Sequence, residues 1–404
     1  MLMVAGAAFL AQGFFAGQAR GEDYDIIPSL SVRQEYSDNL FFTSGEKTHS
    51  FTTALSPRLE LVKKNERTNA SLLAGMDWFV YWDTHDVVTA FNQQYRGRLS
   101  HRLSERLGVS LGAGYSVNNQ PDENITKDGV VINALHRNLQ DYSAGIDFAL
   151  SEKSVAGLSY QYRQEDYPEM PGADNRTHGV SLGYEYDLRA FLPAARGRFN
   201  AGFNSYEFDT SRTDNYSATL GLGWSLSETW SVTADVGGRY SVADFDVVSL
   251  APAAQEGTFY PKTIRDSRDS YGLVARAALT VRGETQNGSL TFSRDVGLSS
   301  SRNGTSENTS IDVAYRRFLT DKFSSSLTGG YQMSRSDSDD LSAGRIDEDY
   351  IRCTAGVRYQ FNRNMALDAS YSYLKALYNQ SETSAERNSV MVSFTIRHPL
   401  LDRW

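Results

Sequence analysis

The most constraining feature of this chain is an alternation of apolar and polar residues that recurs almost everywhere after Asp25. The stretch Leu-Gly-Val-Ser-Leu-Gly-Ala-Gly-Tyr-Ser-Val at 107–117 is typical, and 141–150 and 216–226 repeat the pattern. A period of two places successive side chains on opposite faces of a β-strand. The alternation lasts roughly ten residues, the length that a tilted strand needs to cross a bilayer, whereas strands of soluble sheets are mostly about five or six residues long.

About 18 such segments follow one another, which predicts an all-β fold, a transmembrane antiparallel up-and-down β-barrel of about 18 strands (16–18). Soluble β-sandwiches also alternate, but a succession of strands this long favours the membrane barrel. The predicted segments are 27–38, 51–62, 68–82, 91–103, 107–118, 139–150, 154–166, 176–188, 196–208, 214–226, 230–242, 269–282, 288–299, 308–318, 323–334, 349–361, 365–377 and 388–397.

The predicted connections alternate in length, an asymmetry expected of an outer-membrane barrel with short turns on its periplasmic rim. An even number of strands would place both termini on that rim. Four short turns share a hydrophobe, a hydroxyl residue and an acid, namely 103–106, 150–153, 226–229 and 319–322. The hydroxyl and the acid are expected to bond the turn backbone. The predicted long loops are 119–138, 167–175, 243–268, 335–348 and 378–387.

Composition excludes several other classes of protein. The chain has 404 residues, and its mean hydropathy of −0.45 argues against a polytopic helical membrane protein, while 12% aromatic residues are too many for a disordered chain. A single Cys excludes a disulfide framework and a Cys-rich metal or iron–sulfur site. A net charge of −9 argues against a nucleic-acid partner.

The start of the chain predicts export from the cytoplasm. The segment 4–16 is apolar or small apart from one Gln, no charge precedes Arg20, and Ala19 fits a cleavage point. We therefore expect residues 1–22 to be a signal peptide and 23–404 to form a single outer-membrane β-barrel in a Gram-negative bacterium. The missing basic n-region suggests a start that lies further upstream. The alternative, a short membrane anchor, lacks the length of a span and a stop-transfer flank.

Many charged residues fall on the polar face of the predicted strands. An Arg facing lipid at mid-depth would cost about 2–4 kcal/mol, a cost that a wet interior removes. We predict a polar conduit, and the alternatives are a solvated wall or cross-strand ion pairs that brace the barrel. Arg96, Arg98 and Arg102 form the densest basic ladder, which suits contact with anionic or hydroxyl-rich cargo. The predicted lumen-lining residues are Arg33, Arg58, Glu60, Arg96, Arg98, Arg102, Asp147, Arg163, Arg239, Arg276, Arg316, Arg352 and Arg358.

No catalytic, cofactor or metal site is predicted. The hydrolase pattern G-x-S-x-G occurs at 108–112 and at 179–183, but both copies lie in the middle of a predicted strand. The functional motif needs a turn between a strand and a helix. The small residues are better explained as part of a polar lumen, and we expect a protein that is not an enzyme.

The first predicted hairpin carries a family resemblance. Its first strand leads to Tyr-Ser-Asp-Asn-Leu-Phe at 36–41, and its second contains Leu-Ser-Pro-Arg-Leu-Glu-Leu at 55–61. This hairpin resembles the putative beta-barrel porin 2 family, whose first strand ends in Asp-Asn-aliphatic and whose second strand has a Pro-x-Leu core. The likeness in layout extends over nearly the whole mature chain. It implies an outer-membrane barrel without catalytic residues, associated with exopolysaccharide production and export.

Four functions compete on this basis. The first is export of a surface exopolysaccharide, with outer-membrane lipid, polysaccharide and periplasmic or inner-membrane export components as partners. The second is a passive or substrate-specific porin for small hydrophilic solutes, in which a long loop at 119–138 or 243–268 would fold inward as a constriction. The third, a membrane-embedded enzyme, lacks a visible catalytic set. The fourth is a sheath around an electron-carrying cytochrome. We expect the first.

Overall fold

The computed structural model describes residues 23–82, 88–119, 136–169, 174–252, 259–298, 305–336 and 347–400, and the predicted signal peptide lies outside these ranges. No helix in them is long and apolar enough to cross a membrane. The regular elements are strands: β1 (Asp23–Ser37), β2 (Ser50–Lys64), β3 (Thr68–Tyr81), β4 (Val88–Arg102), β5 (Leu107–Asn118), β6 (Arg137–Ser151), β7 (Ser154–Asp166), β8 (Asn175–Asp187), β9 (Ala195–Phe208), β10 (Ser211–Ser225), β11 (Trp230–Pro252), β12 (Phe259–Arg282), β13 (Gln286–Leu298), β14 (Thr305–Phe318), β15 (Phe323–Ser336), β16 (Asp347–Asn362), β17 (Met365–Tyr378) and β18 (Thr383–Arg397).

These strands form one closed sheet. The 18 strands each pair antiparallel with their neighbours in the chain, and β1 also pairs with β18 from Ser29↔Arg397 to Ser37↔Ser389. Closure leaves no free first or last strand edge, so backbone polar groups can be satisfied within a bilayer. The predicted barrel is confirmed, and each predicted segment overlaps one observed strand.

The two faces of the sheet differ as the alternation predicts. On the outer face large apolar side chains are exposed, such as Leu111 at 53% and Ile146 at 49%. On β5 the intervening positions are Gly108, Ser110 and Gly112, which point to the inner side. Exposed hydrophobes around the whole outside are stable only against lipid, so the outer face is the membrane-facing face.

On the rim with the short turns, the hydroxyl residue of the shared turn pattern bonds the turn backbone, as predicted. Ser104 Oγ accepts the Leu107 N–H at 3.1 Å, Ser227 Oγ accepts the Trp230 N–H at 3.1 Å, and Thr320 Oγ1 accepts the Phe323 N–H at 3.0 Å. Each bond satisfies a backbone donor at the turn. β1 starts and β18 ends on this rim, as an even number of antiparallel strands requires.

The predictions of two long loops are wrong. The segment predicted as a loop at 243–268 is largely strand, because β11 continues to Pro252 and β12 starts at Phe259, with pairing from Ala243↔Arg268 to Pro252↔Phe259. The predicted loop at 378–387 is reduced to the four residues 379–382 between β17 and β18. The sequence at 243–252 has apolar residues in consecutive positions, such as Val247 and Val248, and 378–387 is mostly polar, so neither shows the apolar alternation by which strands in lipid are recognised. The predicted loop at 119–138 lies mostly outside the described residues.

The pairing between β12 and β13 is shorter than either strand. These strands pair only from Ala275↔Arg294 to Arg282↔Asn287, although both continue well beyond Ala275 and Arg294. Above this point β12 stays paired with β11, and β13 stays paired with β14. The two hairpins therefore separate toward the rim that carries the long loops.

Candidate functional site

The candidate functional site is the inner wall, the strand face opposite the exposed apolar residues. Hydroxyl groups bond to each other directly across strands on this face. Ser159 and Ser181 have their oxygens 2.6 Å apart, and Thr354 and Ser372 have theirs 2.9 Å apart. Such groups act as both donor and acceptor, so the wall can hydrogen-bond water and polar solutes.

The predicted lumen-lining residues all lie on the inner-face register, and most are in ion pairs. Arg58 Nη2 lies 3.6 Å from Asp77 Oδ1, and Arg276 Nη2 lies 2.6 Å from Asp295 Oδ2. These pairs match the bracing alternative that the sequence left open. The other pairs that join different strands are Glu60–Arg397, Arg239–Glu307, Arg352–Asp312 and Arg358–Asp368, whereas Arg33–Glu35 and Arg163–Glu165 each lie within one strand.

Three other predicted lumen-lining residues lie beside a glycine, in a cavity and at a strand end. Asp147 lies beside Gly157, where a Cβ would approach the carboxylate oxygen to 2.8 Å. Arg316 lines a polar cavity of about 500 Å³ together with Ser324 and Ser326. Arg102 is exposed at the end of β4, opposite Gly108.

Arg239 lies on the inner face but is covered by another part of the chain. Its side chain is 3% exposed, and its Nη2 lies 3.3 Å from Glu307 Oε2 on β14. On β9, Tyr206 donates its hydroxyl to the Val296 carbonyl of β13 at 3.3 Å. Since Tyr206 and Arg239 both belong to the inner face, the end of the β13–β14 hairpin lies inside the barrel against β9–β11. We call its described residues, 296–298 and 305–307, the inward tip.

The inward tip packs closely on the wall behind it. Inner-face residues there are almost fully buried, with Val274 at 1% and Phe245 at 2% exposure. Arg294 Nη2 binds Glu307 Oε1 at 2.6 Å, so Glu307 holds one Arg of its own hairpin and one of β11. The early end of β12–β13 pairing frees β13 to bend inward. The inward tip therefore narrows the lumen. The segment 243–268 is a paired hairpin and not an open loop, and its role as a constriction stays a prediction.

A second inward segment follows β1 and explains the Asp-Asn-aliphatic motif. Leu40 packs with Ala54, Phe79 and Tyr81 on the inner face of β2–β3, and Phe42 packs on β16–β18. Asn39, which precedes Leu40, is fully buried, and its Nδ2 donates to the carbonyls of Thr43 and Glu386. The two apolar residues thus fix the loop against two parts of the inner wall.

Asp38 joins the two strands that close the barrel. Its Oδ1 accepts the Asn388 N–H and its Oδ2 accepts the Asn388 Nδ2–H, each at 2.7 Å. The Asp38 N–H in turn donates to the Asn388 carbonyl at 3.1 Å. Because this contact lies just beyond Ser37↔Ser389, the last β1–β18 pair, it extends the closing seam by one further residue.

A buried charged cluster lies near the rim with the long loops. Glu165 is fully buried, accepts the Arg163 Nε–H at 2.7 Å and the Tyr167 hydroxyl at 2.8 Å, and lies 3.8 Å from Arg137 Nη1. Burial raises the pKa of the Tyr167 phenol, and the neighbouring Glu165 carboxylate raises it further. The phenol therefore remains a donor to Glu165 at neutral pH.

Sequence analysis missed Tyr206, Glu307, Phe42 and Arg137 as organising residues of the lumen. A signal for the inward tip does exist in the sequence. Arg294 and Glu307 fall on the lipid-facing register of β13 and β14, where a charge is costly. Two charges on that register indicate that this hairpin end is not facing lipid. Phe42 and Tyr206 carry no such signal, because aromatic residues are common throughout the chain.

The described residues do not bring together three His, Cys, Asp or Glu side chains as potential metal ligands. Cys353 is exposed on β16, on the same outer register as Ile351 and Val357.

Known proteins resemble this chain at the level of family and fold. The profile of the putative beta-barrel porin 2 family matches residues 268–398, which covers most of β12 and all of β13–β18. The match does not include the first hairpin, β1–β2, whose sequence carries the resemblance to the same family. No protein of curated function matches the chain.

Several solved structures are similar to this chain at low sequence identity. The copper transporter OprC has a TM-score of 0.48 and 11% identity, covering 91% of this chain and 64% of its own, so this chain spans less than two thirds of that protein. Pseudomonas aeruginosa OpdK with vanillate has a TM-score of 0.43 and 11% identity over 92% of this chain and 99% of its own. Pseudomonas aeruginosa OccK2 with glucuronate has a TM-score of 0.45 and 12% identity over 94% and 99%.

The family match and the fold agree on the location of the protein. A closed barrel with an apolar outside and a polar inside is the form in which bacterial proteins cross the outer membrane with strands. The predicted location in the outer membrane of a Gram-negative bacterium is therefore confirmed, and membrane lipid surrounds the outer face. This chain is an outer-membrane β-barrel with a porin-like interior, and over residues 268–398 it matches the putative beta-barrel porin 2 family.

Proposed function

We propose that the protein is a passive diffusion porin for small hydrophilic solutes. Its inner wall carries hydroxyl, amide and paired charged groups, which can replace part of the hydration shell of a polar solute. Diffusion through such a wall requires no chemical step, so the proposed activity is not enzymatic.

The observation that carries this proposal is the inward tip. It lies against the inner wall through the Tyr206–Val296 bond and the Arg239–Glu307 ion pair, and so occupies space that a wide conduit would leave open. The loop at 39–49 takes up further space on the opposite part of the wall, where Phe42 packs on β16–β18. Segments folded into the lumen favour small solutes over a long polymer.

Polysaccharide export, the function implied by the resemblance, receives no such support. Neither the family match nor the barrel identifies a polysaccharide or a periplasmic or inner-membrane partner. The diffusion porin, which was the second of the four functions, is therefore the better interpretation.

Liposome swelling tests the proposal. We expect liposomes containing the folded protein to swell rapidly in isotonic monosaccharide, more slowly in tetrasaccharide, and not measurably in dextran. Heat-unfolded protein incorporated at the same ratio is the matched control and should give no swelling. Rapid entry of dextran would favour a wide conduit, and no entry of any sugar would refute passive diffusion.

A further inference from the structure

Two arginines of the inner wall, Arg96 and Arg98 on β4, differ from most of the others. Among the described residues, no carboxylate forms an ion pair with either of them, whereas Arg58, Arg276 and Arg352 each pair with an acid on another strand. Their positive charge is therefore not used to brace the wall. A charge that is left free in a lumen attracts mobile anions.

Arg96 and Arg98 on β4 form a shelf together with Asp141 and Ser143 on β6. Arg96 pairs in the register with Gly114 on β5, which pairs with Asp141. Arg98 pairs with Gly112 on β5, which pairs with Ser143. A Cβ at Gly114 would collide with the Asp141 carboxylate, so glycine leaves the space in which the Asp141 side chain lies over β5. The shelf lines a cavity of about 600 Å³.

The remaining lining of the cavity is rich in hydrogen-bonding groups. Its polar members other than the two arginines are Asn69, Ser71, Ser100, Ser110, Asp141 and Ser143. A guanidinium binds a carboxylate through two parallel hydrogen bonds, while serine and amide groups bind hydroxyls. Asp141 accepts hydrogen bonds from hydroxyls but repels a second carboxylate. This combination selects a polyhydroxylated molecule with one carboxylate.

We propose that the shelf at Arg96 and Arg98 is a binding subsite for a polyhydroxylated monocarboxylate on its way through the lumen. The inference rests on the proposed diffusion function, whose solute class it narrows. The two arginines hold the carboxylate, and Asp141 with the serines holds the hydroxyls.

The test uses the full-length protein and gluconate as the probe. In a planar bilayer in KCl, gluconate should reduce the wild-type conductance in a concentration-dependent manner, whereas glucose, which lacks the carboxylate, should not. In the R96Q/R98Q variant we expect the concentration for half-block to rise about tenfold or more. The matched control is R316Q, since Arg316 also has no ion pair among the described residues but lines a different cavity, and its half-block should equal that of the wild type.

Asp141 gives a second, independent readout. Glucarate, which carries two carboxylates, should block the wild type less well than gluconate, and D141N should reduce this difference. Gluconate block that is equal in the wild type and in R96Q/R98Q would overturn the subsite.

Calorimetry in detergent separates the subsite from the diffusion function. Gluconate should release or absorb heat on binding folded wild-type protein, and should do so much more weakly with R96Q/R98Q. A protein that binds gluconate in this way but does not conduct in KCl retains the subsite and refutes passive diffusion. A protein that conducts but shows no difference in gluconate binding between wild type and variant retains diffusion and refutes the subsite.

Discussion

Removal of the inward tip is expected to raise the single-channel conductance severalfold. In the variant, residues 296–307 are replaced by Asn-Gly, which joins Asp295 to Asn308, a register pair of β13 and β14. The change removes Val296 and Glu307, which bond the inner-face residues Tyr206 and Arg239. Because the tip lies inside the barrel, its loss widens the lumen. Planar-bilayer recording in KCl measures the effect.

The projecting end of the β11–β12 hairpin offers a matched control. The described residues of this end, 247–252 and 259–264, pair only within that hairpin, since β10 pairs with β11 no further than Ser211↔Phe245 and β12 leaves β13 at Ala275. Replacement of residues 247–264 by Asn-Gly joins Asp246 to Arg265 and should leave the conductance almost unchanged. An unchanged conductance in the tip deletion, with the protein still folded, would mean that the tip does not narrow the path.

The substitution D38A is expected to lower the free energy of unfolding by about 2 kcal/mol. A hydrogen bond to a charged group contributes roughly 1.5–3 kcal/mol, and the Asn388 donors that lose their acceptor can still be partly solvated. The Asp38 carboxylate accepts both the backbone and the side-chain N–H of Asn388, and so holds β18 to β1 at the closing seam. Urea unfolding in detergent micelles, followed by tryptophan fluorescence, measures the change.

The control for this prediction is D368A. Asp368 pairs with Arg358 at 3.4 Å, and both side chains are substantially exposed at 29% and 47%. Exposed ion pairs contribute about 0–1 kcal/mol, so D368A should have a small effect. Equal losses in D38A and D368A would show that the contact at the seam has no special role in closure.

The barrel itself could be predicted from the sequence because lipid imposes a simple rule on every strand that crosses it. Leu111 and Ile146 must face outward, and Ser110 and Gly145 between such residues must then face inward. The same rule places Arg58, Arg96 and Arg276 on the inner face without knowledge of their partners.

The details of the lumen could not be predicted in this way. The extension of β11 and β12 past their neighbouring strands has apolar residues in consecutive positions, such as Val247 and Val248, so the sequence there does not alternate as a strand in lipid does. The inward tip depends on contacts between residues far apart in the chain, such as Tyr206 with Val296, which are separated by 90 positions. Whether an inner-face Arg is paired or free also depends on the neighbouring strands, which distinguishes Arg276 from Arg96.

The central claim, that a closed barrel with a narrowed polar lumen conducts by passive diffusion, is tested most directly by recording currents from the purified, folded protein in a planar bilayer. The claim predicts discrete steps of current that are proportional to voltage at low voltage, with a conductance that rises with KCl concentration. A folded protein that inserts into the bilayer and gives no steps would contradict it.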